Sequence, residues 1–311
     1  MKEYTLEELQ KGRLSGACCR HLASMDALQR SVLYNELVFE RLQRKYNDIL
    51  EIYRLSEEEW NQTYYTLLFR VIGGPQNKRA FDKLSRLVPY NVLLRVISSQ
   101  ASLEAILLGS AGLLDLYNDS YIQYLKKEFE YLKYKYNIEP MDVSEWNTIR
   151  IFPNNHPTLR LVQIASSLHN NNISIRRATL CSTRHDVYNI FDGTASEDWI
   201  KRVHPGRRDS KIVNHIGHTK CDILGINLIA QINFAYGNYI QSDQLIDNAI
   251  ALLENIPCED NRYTRHWNSE SVVAQNAFEG QAVLQLSTEY CERNRCQQCP
   301  LAALLCPSLK E

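Results

Sequence analysis

The sequence predicts a mainly α-helical, multi-helix globular protein that ends in a cysteine-rich metal-binding loop. Apolar residues recur at alternating spacings of three and four over long stretches, which is the period of an amphipathic helix. No stretch alternates apolar and polar residues as a half-buried strand does. The chain of 311 residues has only 12 glycines and 9 prolines, fewer than a fold built on many tight turns requires.

The first long helix is predicted over residues 24–53. Its recurring apolar positions are Leu28, Val32, Phe39, Leu42, Tyr46, Ile49 and Tyr53. Ser56 and Glu59 have the spacing of a capping box, in which each side chain hydrogen-bonds a backbone N–H of the next helix. That helix is predicted over residues 60–71, and Gly73, Gly74 and Pro75 end it.

Seven further helices have apolar positions at helical period with polar residues between them. They are predicted at residues 78–87, 103–116, 120–136, 158–168, 222–236, 242–253 and 271–290. The apolar stretch 103–116 is shorter than the roughly 20 residues that a membrane span needs, so we expect a buried core helix there. Residues 169–217 are rich in Asn, Ser, Gly and His and predict loops.

The composition indicates a globular protein of the cell interior. Hydrophobic residues make up 44% of the chain, which is enough for a core. The first twenty residues carry charges throughout and lack the apolar middle region of a secretion signal. We therefore expect a cytoplasmic protein with no membrane contact. Its nine cysteines are expected to stay reduced, which leaves metal binding and burial as their uses.

Four cysteines near the C-terminus form the strongest motif. Cys291, Cys296, Cys299 and Cys306 are separated by four, two and six residues. Cys296 and Cys299 lie among polar residues, where a buried thiol would have no apolar core to join. The spacing predicts four thiolate ligands to one metal centre, in a module over residues 286–311 that follows a helical domain over residues 1–285.

Two kinds of metal centre fit these cysteines. The C-x4-C-x2-C spacing of the first three is known from ferredoxins and favours a [4Fe-4S] iron-sulfur cluster. Zinc is the alternative, although structural zinc sites usually combine two short cysteine pairs that are far apart in sequence. The segment also resembles the iron-sulfur loop of helix-hairpin-helix DNA glycosylases, through Arg295, Pro300 and Leu301. Arg293 and Arg295 would offset the negative charge of either centre.

A basic stretch lies in the middle of the chain. Residues 150–220 contain eleven basic residues against five acidic ones, although the whole chain has a net charge of −1. Such a stretch favours an anionic partner, and scattered solvated charge is the equally weighted alternative. The candidate residues for binding an anion or nucleic acid are Arg150, Arg160, Arg176, Arg177, Arg202, Arg207 and Arg208.

One part of this stretch predicts a phosphate site. Pro153 and Pro157 indicate that a helix begins near Thr158, and its N-terminal amides together with Arg150 and Arg160 suit an anion. The alternative for the two arginines is that they cap helix ends and pair with Asp or Glu.

Two other polar groups have both a functional and a structural interpretation. His215, His218 and Cys221 are spaced like metal ligands, but nothing supplies a second pair, so ordinary polar contacts are expected. An acid or base centre could lie near Glu259, yet a capping network for the turn that follows is favoured. The sequence contains no nucleotide-binding glycine loop, serine elbow or zinc-protease motif, and no catalytic residue is assigned.

Several blocks are distinctive in their order: ERLQRK at 40–45, WNQTYYTLLFR at 60–70, EAILLGSAGLL at 104–114, RIFPNNHPTLRLVQIA at 150–165, GINLIAQINFAYG at 225–237, EDN at 259–261 and GQAVLQLSTEYC at 280–291. Together they resemble the helical portion of a family of bacterial proteins, domain of unknown function 2851. The resemblance implies a helical fold and no particular activity. It also implies that longer relatives carry a preceding segment, rich in Asp, Glu and His and reminiscent of restriction-type nucleases, which we expect this chain to lack.

Three functions are compatible with these observations. The first is a nucleic-acid-binding or nucleic-acid-processing accessory protein with a structural metal site, because of the basic stretch and the glycosylase-like loop. Its partner would be DNA or RNA. The second is a helical scaffold or regulatory subunit with a protein partner, since no catalytic set is recognised. The third is an enzyme with an active site near Glu259.

Overall fold

The computed structural model describes residues 16–203 and 214–306. Within these ranges the protein is helical and has no strand longer than an isolated bridge, which confirms the predicted mainly α fold. The α-helices in chain order are α1 (Gly16–Ser24), α2 (Ala27–Leu55), α3 (Trp60–Leu87), α4 (Tyr90–Leu94), α5 (Gln100–Ser110), α6 (Ser120–Tyr136), α7 (Pro157–Asn171), α8 (Ile175–Ala178), α9 (Arg184–Ile190), α10 (Glu197–Val203), α11 (His218–Leu224), α12 (Ala230–Ile240), α13 (Asp243–Asn255), α14 (Arg262–Ser269), α15 (Ala277–Gln285) and α16 (Pro300–Leu305).

Shorter helical turns of other types connect these elements. The 3-10 turns are Leu113–Leu116, Val143–Glu145, Pro153–Asn155 and Cys296–Gln298. Two π-helical turns, Gly225–Ile229 and Leu286–Cys291, continue α11 and α15. In the part of the chain that the structure describes, no helix has both the length and the apolar content needed to cross a membrane.

The described residues form two compact units. The terminal unit comprises residues 16–48 and 234–306, and the central unit comprises residues 49–203 and 214–233. The terminal unit is thus assembled from segments that are far apart in sequence. The predicted domain boundary after residue 285 lies inside the terminal unit, where α15 gives way to the π-helical turn.

The core of the central unit is centred on α5. Residues 103–110 of this helix are all buried, and it packs against α6 and α7, so the predicted core helix is confirmed. It is shorter than predicted because Gly112 adopts a left-handed conformation at φ 69°, which ends the helix before the Leu113–Leu116 turn. Helix α6 has the predicted bounds, between an Asp119 N-cap and a left-handed Asn137.

The predicted capping box is wrong. Glu59, rather than Ser56, is the N-cap of α3, and its carboxylate accepts hydrogen bonds from the N–H groups of Asn61 and Gln62. Glu57 and Glu58 have positive φ values of 54° and 59°, so the chain reverses before the helix begins. The capping position therefore shifts from Ser56 to Glu59, because an acidic side chain at the helix start can also satisfy the first amides.

The apolar face of α2 also differs from the sequence pattern. Leu28, Val32 and Phe39 are exposed, whereas Leu33 and Leu37 are buried. The helix carries apolar residues on more than one face, and spacing alone does not show which of them packs.

The terminal unit packs α15 against α13 and α14, and α16 against α1. Trp267 of α14 is buried, and its indole N–H donates to Ser287 Oγ at 2.8 Å. Buried Arg41 of α2 donates from Nε to Gln281 Oε1 of α15 at 2.6 Å. These contacts fix the end of α15, from which the predicted cysteine loop continues.

Candidate metal centre

The cysteine motif lies where α15 ends and α16 begins. In the π-helical turn Leu286–Cys291, the N–H of Glu292 donates to Ser287 O at 2.9 Å. The N–H of Arg295 then donates back to Tyr290 O at 2.9 Å, and the 3-10 turn Cys296–Gln298 follows. π-Helical turns are rare in proteins overall, but those that occur are often found at functional sites. Cys291 ends this turn and Cys296 begins the 3-10 turn, so both belong to one short loop.

Cys299 precedes the first turn of α16. Pro300 occupies the first helical position, where its missing N–H is not needed. The Cys299 side chain is 6% exposed, and burial raises the pKa of its thiol to about 12. Hydrogen bonds from the backbone N–H groups of Ala302 and Leu301 act in the opposite direction and lower that pKa. These donors favour the thiolate, which is the form that binds metals.

Cys291 is half-buried and has other thiols around it. Burial is the main cause that raises its pKa, and the charges of Cys299, Cys18, Cys296 and Cys19 raise it further. Such effects between side chains are strong only at short distance. Cys291 thus interacts electrostatically with the other two cysteines of the C-x4-C-x2-C motif and with the two cysteines of α1.

Cys18 and Cys19 are candidate ligands that the sequence alone did not reveal. Helix α1 packs against α16 within the terminal unit, which brings these two residues to the cysteine loop. Cys18 is half-buried, and Cys19 is fully buried. The sequence did contain one signal that these two residues could be ligands: they form an adjacent cysteine pair in a chain expected to lack disulfides. Nothing in the sequence indicated which distant segment the pair would contact.

The remaining predicted ligand, Cys306, lies at the other end of α16. It is the residue that follows the helix, its N–H donates to Ala302 O at 2.9 Å, and its side chain is 2% exposed. The rise of 1.5 Å per residue in an α-helix puts the Cα atoms of Cys299 and Cys306 roughly 10 Å apart. The helix thus separates this cysteine from the three of the loop.

A polar cavity of about 410 Å³ lies beside the loop. Its lining residues are Glu40, Arg44, Gln285, Glu289, Tyr290, Arg295 and Gln298. The Tyr290 hydroxyl donates to the Glu40 carboxylate at 2.6 Å. Glu289 pairs with Arg293 at 3.1 Å and with Arg44 at 3.5 Å. Arg293, expected to offset the charge of a metal centre, is therefore engaged by a carboxylate, and Arg295 remains exposed beside the loop.

The thiols do not already have the geometry of a ligand set. Within residues 16–203 and 214–306, no group of three or more His, Cys, Asp or Glu side chains has an arrangement that could hold a metal ion. Within the same ranges, the nine cysteines form no disulfide bond. The predicted metal-binding loop therefore stays a prediction. Metal binding is commonly coupled to folding of the site, so its test is a measurement of bound metal.

Two of the arginines predicted to bind an anion have partners within the central unit. Arg160 is 4% exposed, and its guanidinium donates to Gln163 Oε1 and Asn155 Oδ1, each at 3.0 Å. Burial lowers its pKa to about 10. Arg202 pairs with Asp119 at 2.6 Å. These two side chains stabilise the fold and contribute little to a binding surface.

The other predicted arginines are placed differently. Arg150, Arg176 and Arg177 are exposed. Arg207 and Arg208 lie outside the described residues. The helix predicted near Thr158 is α7, and Pro157 occupies its first turn, as expected from the two prolines. Its N-cap, His156, makes no side-chain capping hydrogen bond.

The other polar groups have structural contacts. His218 stacks on Tyr188, with ring centres 4.5 Å apart, and Cys221 is buried. Asn261 accepts hydrogen bonds from the first backbone amides of α14 and caps that helix. This cap is the network predicted for the turn after Glu259.

Comparison with known proteins identifies one family. The family described as "Protein of unknown function (DUF2851)" matches residues 2–262. The match includes α1 with Cys18 and Cys19 and ends before Cys291. No curated protein and no solved structure matches the chain. The comparisons therefore supply no substrate, cofactor or partner.

Proposed function

The chain belongs to the family described as Protein of unknown function (DUF2851), and we propose that it is an accessory protein with a structural metal centre in its terminal unit. The observation that carries this proposal is the C-x4-C-x2-C spacing of Cys291, Cys296 and Cys299 within the one short loop between α15 and α16. Backbone N–H groups at Cys299 favour the thiolate form there. Cysteines without a disulfide in a polar loop are available to bind a metal as thiolates, and metal binding would have to bring them into a ligand geometry.

An iron-sulfur cluster is the favoured occupant and zinc is the alternative. The C-x4-C-x2-C spacing matches a known iron-sulfur pattern, whereas the single short cysteine pair is unusual for structural zinc. Either centre, when bound, would cross-link the chain segments that carry its cysteine ligands. A site closed by four thiolates has no open position for a substrate, so the proposed role is structural.

Metal content and the visible absorption spectrum of the full chain, purified without oxygen, test this proposal. A brown protein with about four irons per chain identifies the cluster, and a colourless protein with about one zinc identifies the alternative. Cys296→Ser and Cys299→Ser are expected to lose the metal. Cys258→Ser is the matched control, since Cys258 is half-buried elsewhere in the terminal unit.

Two results would count against the proposed metal site. Wild-type protein that binds neither metal, after purification without oxygen and after reconstitution with iron and sulfide or with zinc, would contradict the proposal. Metal that survives Cys296→Ser and Cys299→Ser together would place the site elsewhere.

Binding to nucleic acid is a second candidate function. The observation that favours it is the exposure of Arg150, Arg176 and Arg177 within the basic stretch. Exposed arginines release counterions when they contact phosphates, which makes such binding depend strongly on salt. Arg207 and Arg208 belong to the same basic stretch of the sequence.

Fluorescence anisotropy with labelled DNA and RNA of random sequence tests the second candidate. Arg176→Ala with Arg177→Ala should weaken binding and reduce the slope of log K against log salt by about 2. Lys78→Ala with Arg79→Ala removes two adjacent exposed charges from α3 and is the matched control. Binding that is absent, independent of salt, or equally weakened by both pairs would contradict this function.

A further inference from the structure

The central unit contains a cavity of about 620 Å³. Its walls come from the end of α2, the loop between α2 and α3, both ends of α3, and α4. All of its lining residues lie within positions 52–94, so the cavity belongs to one compact unit and is separate from the metal centre proposed for the terminal unit. Cavities of roughly 300–1,000 Å³ are the size that commonly binds small molecules.

We propose that this cavity binds a small primary amine with an apolar tail. The positively charged ammonium group lies at Ser56, Glu57 and Glu59, and the tail lies along Leu55 and Leu94. The proposal adds a ligand site to the central unit, and it does not depend on metal binding or on nucleic-acid binding.

The two helices on either side of the cavity are held together before any ligand binds. Gln62 of α3 accepts a hydrogen bond at Oε1 from the backbone N–H of Tyr90 at 2.7 Å. The same amide donates from Nε2 to Ser85 O at 3.0 Å. The Tyr90 hydroxyl donates to Ile173 O at 2.8 Å, which anchors α4 to the rest of the central unit. A preformed cavity loses little free energy to reorganisation on binding.

The apolar part of the lining accounts for the tail. Leu55 at the end of α2 is 70% exposed, and Leu94 at the end of α4 is 44% exposed. Pro89 and the buried Ile52 also line the cavity. An alkyl chain placed against these side chains removes apolar surface from water, which favours binding.

The acidic part of the lining selects a cation. Glu57 and Glu59 line the cavity, and neither forms a salt bridge within residues 16–203 and 214–306. Glu59 Oε1 accepts from the backbone N–H of Asn61 at 3.0 Å, which fixes the position of this carboxylate. A carboxylate has about four lone-pair sites, so Glu59 can accept a further hydrogen bond from an ammonium group.

Ser56 supplies a buried hydrogen-bonding group beside these carboxylates. It lines the cavity and is 9% exposed. Its hydroxyl makes no hydrogen bond with any other described residue. A buried hydroxyl without a partner costs free energy, which a ligand that donates to Ser56 Oγ would recover. An ammonium group has three N–H donors, enough for the hydroxyl and both carboxylates.

Arg86 is the competing charge in the lining. Its Nη2 pairs with Asp82 Oδ2 at 2.7 Å, so the guanidinium already has an anionic partner. Asp82 also pairs with Arg70 and is thus shared between two arginines. The lining itself has two carboxylates against this one shared guanidinium, which favours a cation. An anion at Arg86 is the alternative occupant that the experiment must distinguish.

The loop before α3 provides a matched pair of glutamates for that experiment. Glu57 and Glu58 have φ values of 54° and 59°, in the left-handed region that side chains other than glycine rarely adopt. Such conformations are concentrated at functional sites. Both side chains are exposed, but Glu57 lines the cavity and Glu58 does not.

Isothermal titration calorimetry of the full chain with hexylamine tests the proposal. Hexanoate and hexanol have the same chain length, with a negative and a neutral head group. Hexylamine is expected to bind at least about tenfold more tightly than either, because its ammonium group forms charge-assisted hydrogen bonds. Diaminohexane has a second charge in place of the apolar end and is expected to bind more weakly than hexylamine.

Two pairs of variants locate the binding site. Glu57→Gln is expected to weaken hexylamine binding about tenfold, whereas Glu58→Gln should bind as wild type does. Asn91→Trp places a large ring at an exposed position of α4 that lines the cavity, and it should abolish hexylamine binding. Arg95→Trp makes a similar change at an exposed position outside the lining and is its control.

Three results would overturn the proposal. Wild-type protein that binds hexylamine no more tightly than hexanol has no site for the ammonium group. Hexanoate that binds more tightly than hexylamine, and loses its binding in Arg86→Ala, would identify an anion site. Equal weakening of hexylamine binding by Glu57→Gln and Glu58→Gln would show that the amine is attracted by the surrounding charge and not held in the cavity.

Discussion

Glu104 is a carboxylate in the core of the central unit, where it is 2% exposed. One carboxylate oxygen accepts hydrogen bonds from the Tyr121 hydroxyl and the Trp199 indole, both at 2.9 Å. The other oxygen accepts from the Gln100 amide at 3.0 Å. Burial raises the pKa of Glu104 in spite of these hydrogen bonds, each of which lowers it. The residue is therefore a structural acid whose protonation is linked to folding.

The free energy of unfolding is expected to fall as the pH rises from 4.5, the ordinary pKa of this carboxyl, through the raised pKa of the folded protein. In that window the folded state binds more protons than the unfolded state. Each unit by which the pKa is raised corresponds to about 1.4 kcal/mol. Glu104→Gln stays neutral and should flatten this part of the pH profile, as measured by urea unfolding across the acidic and neutral range.

The matched control for this prediction is Glu130→Gln, which changes an exposed glutamate on α6. It should keep the pH dependence of wild type. If the free energy of unfolding of Glu104→Gln falls with rising pH as much as that of wild type, a group other than Glu104 causes the pH dependence.

At the scale of single elements, Gly74 decides how α3 runs. The helix extends over Trp60–Leu87, but Gly74 has φ 57° and ψ −169°, which interrupts it before Pro75. The predicted end of one helix at Gly73, Gly74 and Pro75 is thus seen as a kink between two helical parts. The conformation of Gly74 is one that only glycine adopts without strain.

Gly74→Ala is expected to lower the free energy of unfolding by about 1 to 3 kcal/mol. A Cβ at this position would meet no atom within 4 Å, so the loss would come from the backbone conformation and not from a steric clash. Gln76→Ala, an exposed change just after the kink, should stay within about 0.5 kcal/mol of wild type. Chemical denaturation measures both, and equal stability of the two variants would contradict the prediction.

The contact between α5 and α6 depends on another glycine. A Cβ at Gly109 would lie inside the contact distance of the Phe129 ring. Gly109→Ala is therefore expected to destabilise the protein by about 1 to 3 kcal/mol through overpacking. Unfolding of Gly109→Ala, Phe129→Leu and the double variant forms a mutant cycle.

Phe129→Leu should relieve the clash, so the double variant should lose about 0.5 to 3 kcal/mol less than the two single losses combined. If the losses in free energy of unfolding of the two single variants simply add in the double variant, α5 and α6 move apart to accept the extra Cβ. Gly109 would then not be needed for the close approach of the two helices.

At the scale of the whole molecule, the described residues divide into the terminal unit and the central unit. The metal centre proposed for the loop between α15 and α16 would restrain that part of the terminal unit and leave α5 of the central unit unchanged. Hydrogen exchange of the backbone amides reports on such local stability.

Removing the metal with a chelator is expected to speed exchange in residues 286–306. A centre that adds about 2.7 kcal/mol of local stability slows exchange roughly a hundredfold. Residues 103–110 of α5 should be unaffected and serve as an internal control. No change in residues 286–306 would contradict a structural role.

The sequence by itself determined the features that depend on neighbouring residues. Helical period and caps predicted α6 at Ser120–Tyr136, and the apolar run predicted that α5 is buried. The cysteine spacing predicted a loop with several thiols, because residues within one short loop lie near one another whatever the fold. These signals are local: turn, cap and period energies arise from residues a few positions apart.

The tertiary structure decided which distant residues meet. The burial of Arg160, the exposed face of α2 and the approach of Cys18 to Cys299 all depend on how helices pack. Helices can exchange one apolar face for another at little cost in local energy, so their pairing is selected by the shape of the whole core. For that reason the sequence identified Cys291, Cys296, Cys299 and Cys306 as candidate ligands, and only the packing of α1 against α16 brought Cys18 and Cys19 to the same part of the terminal unit.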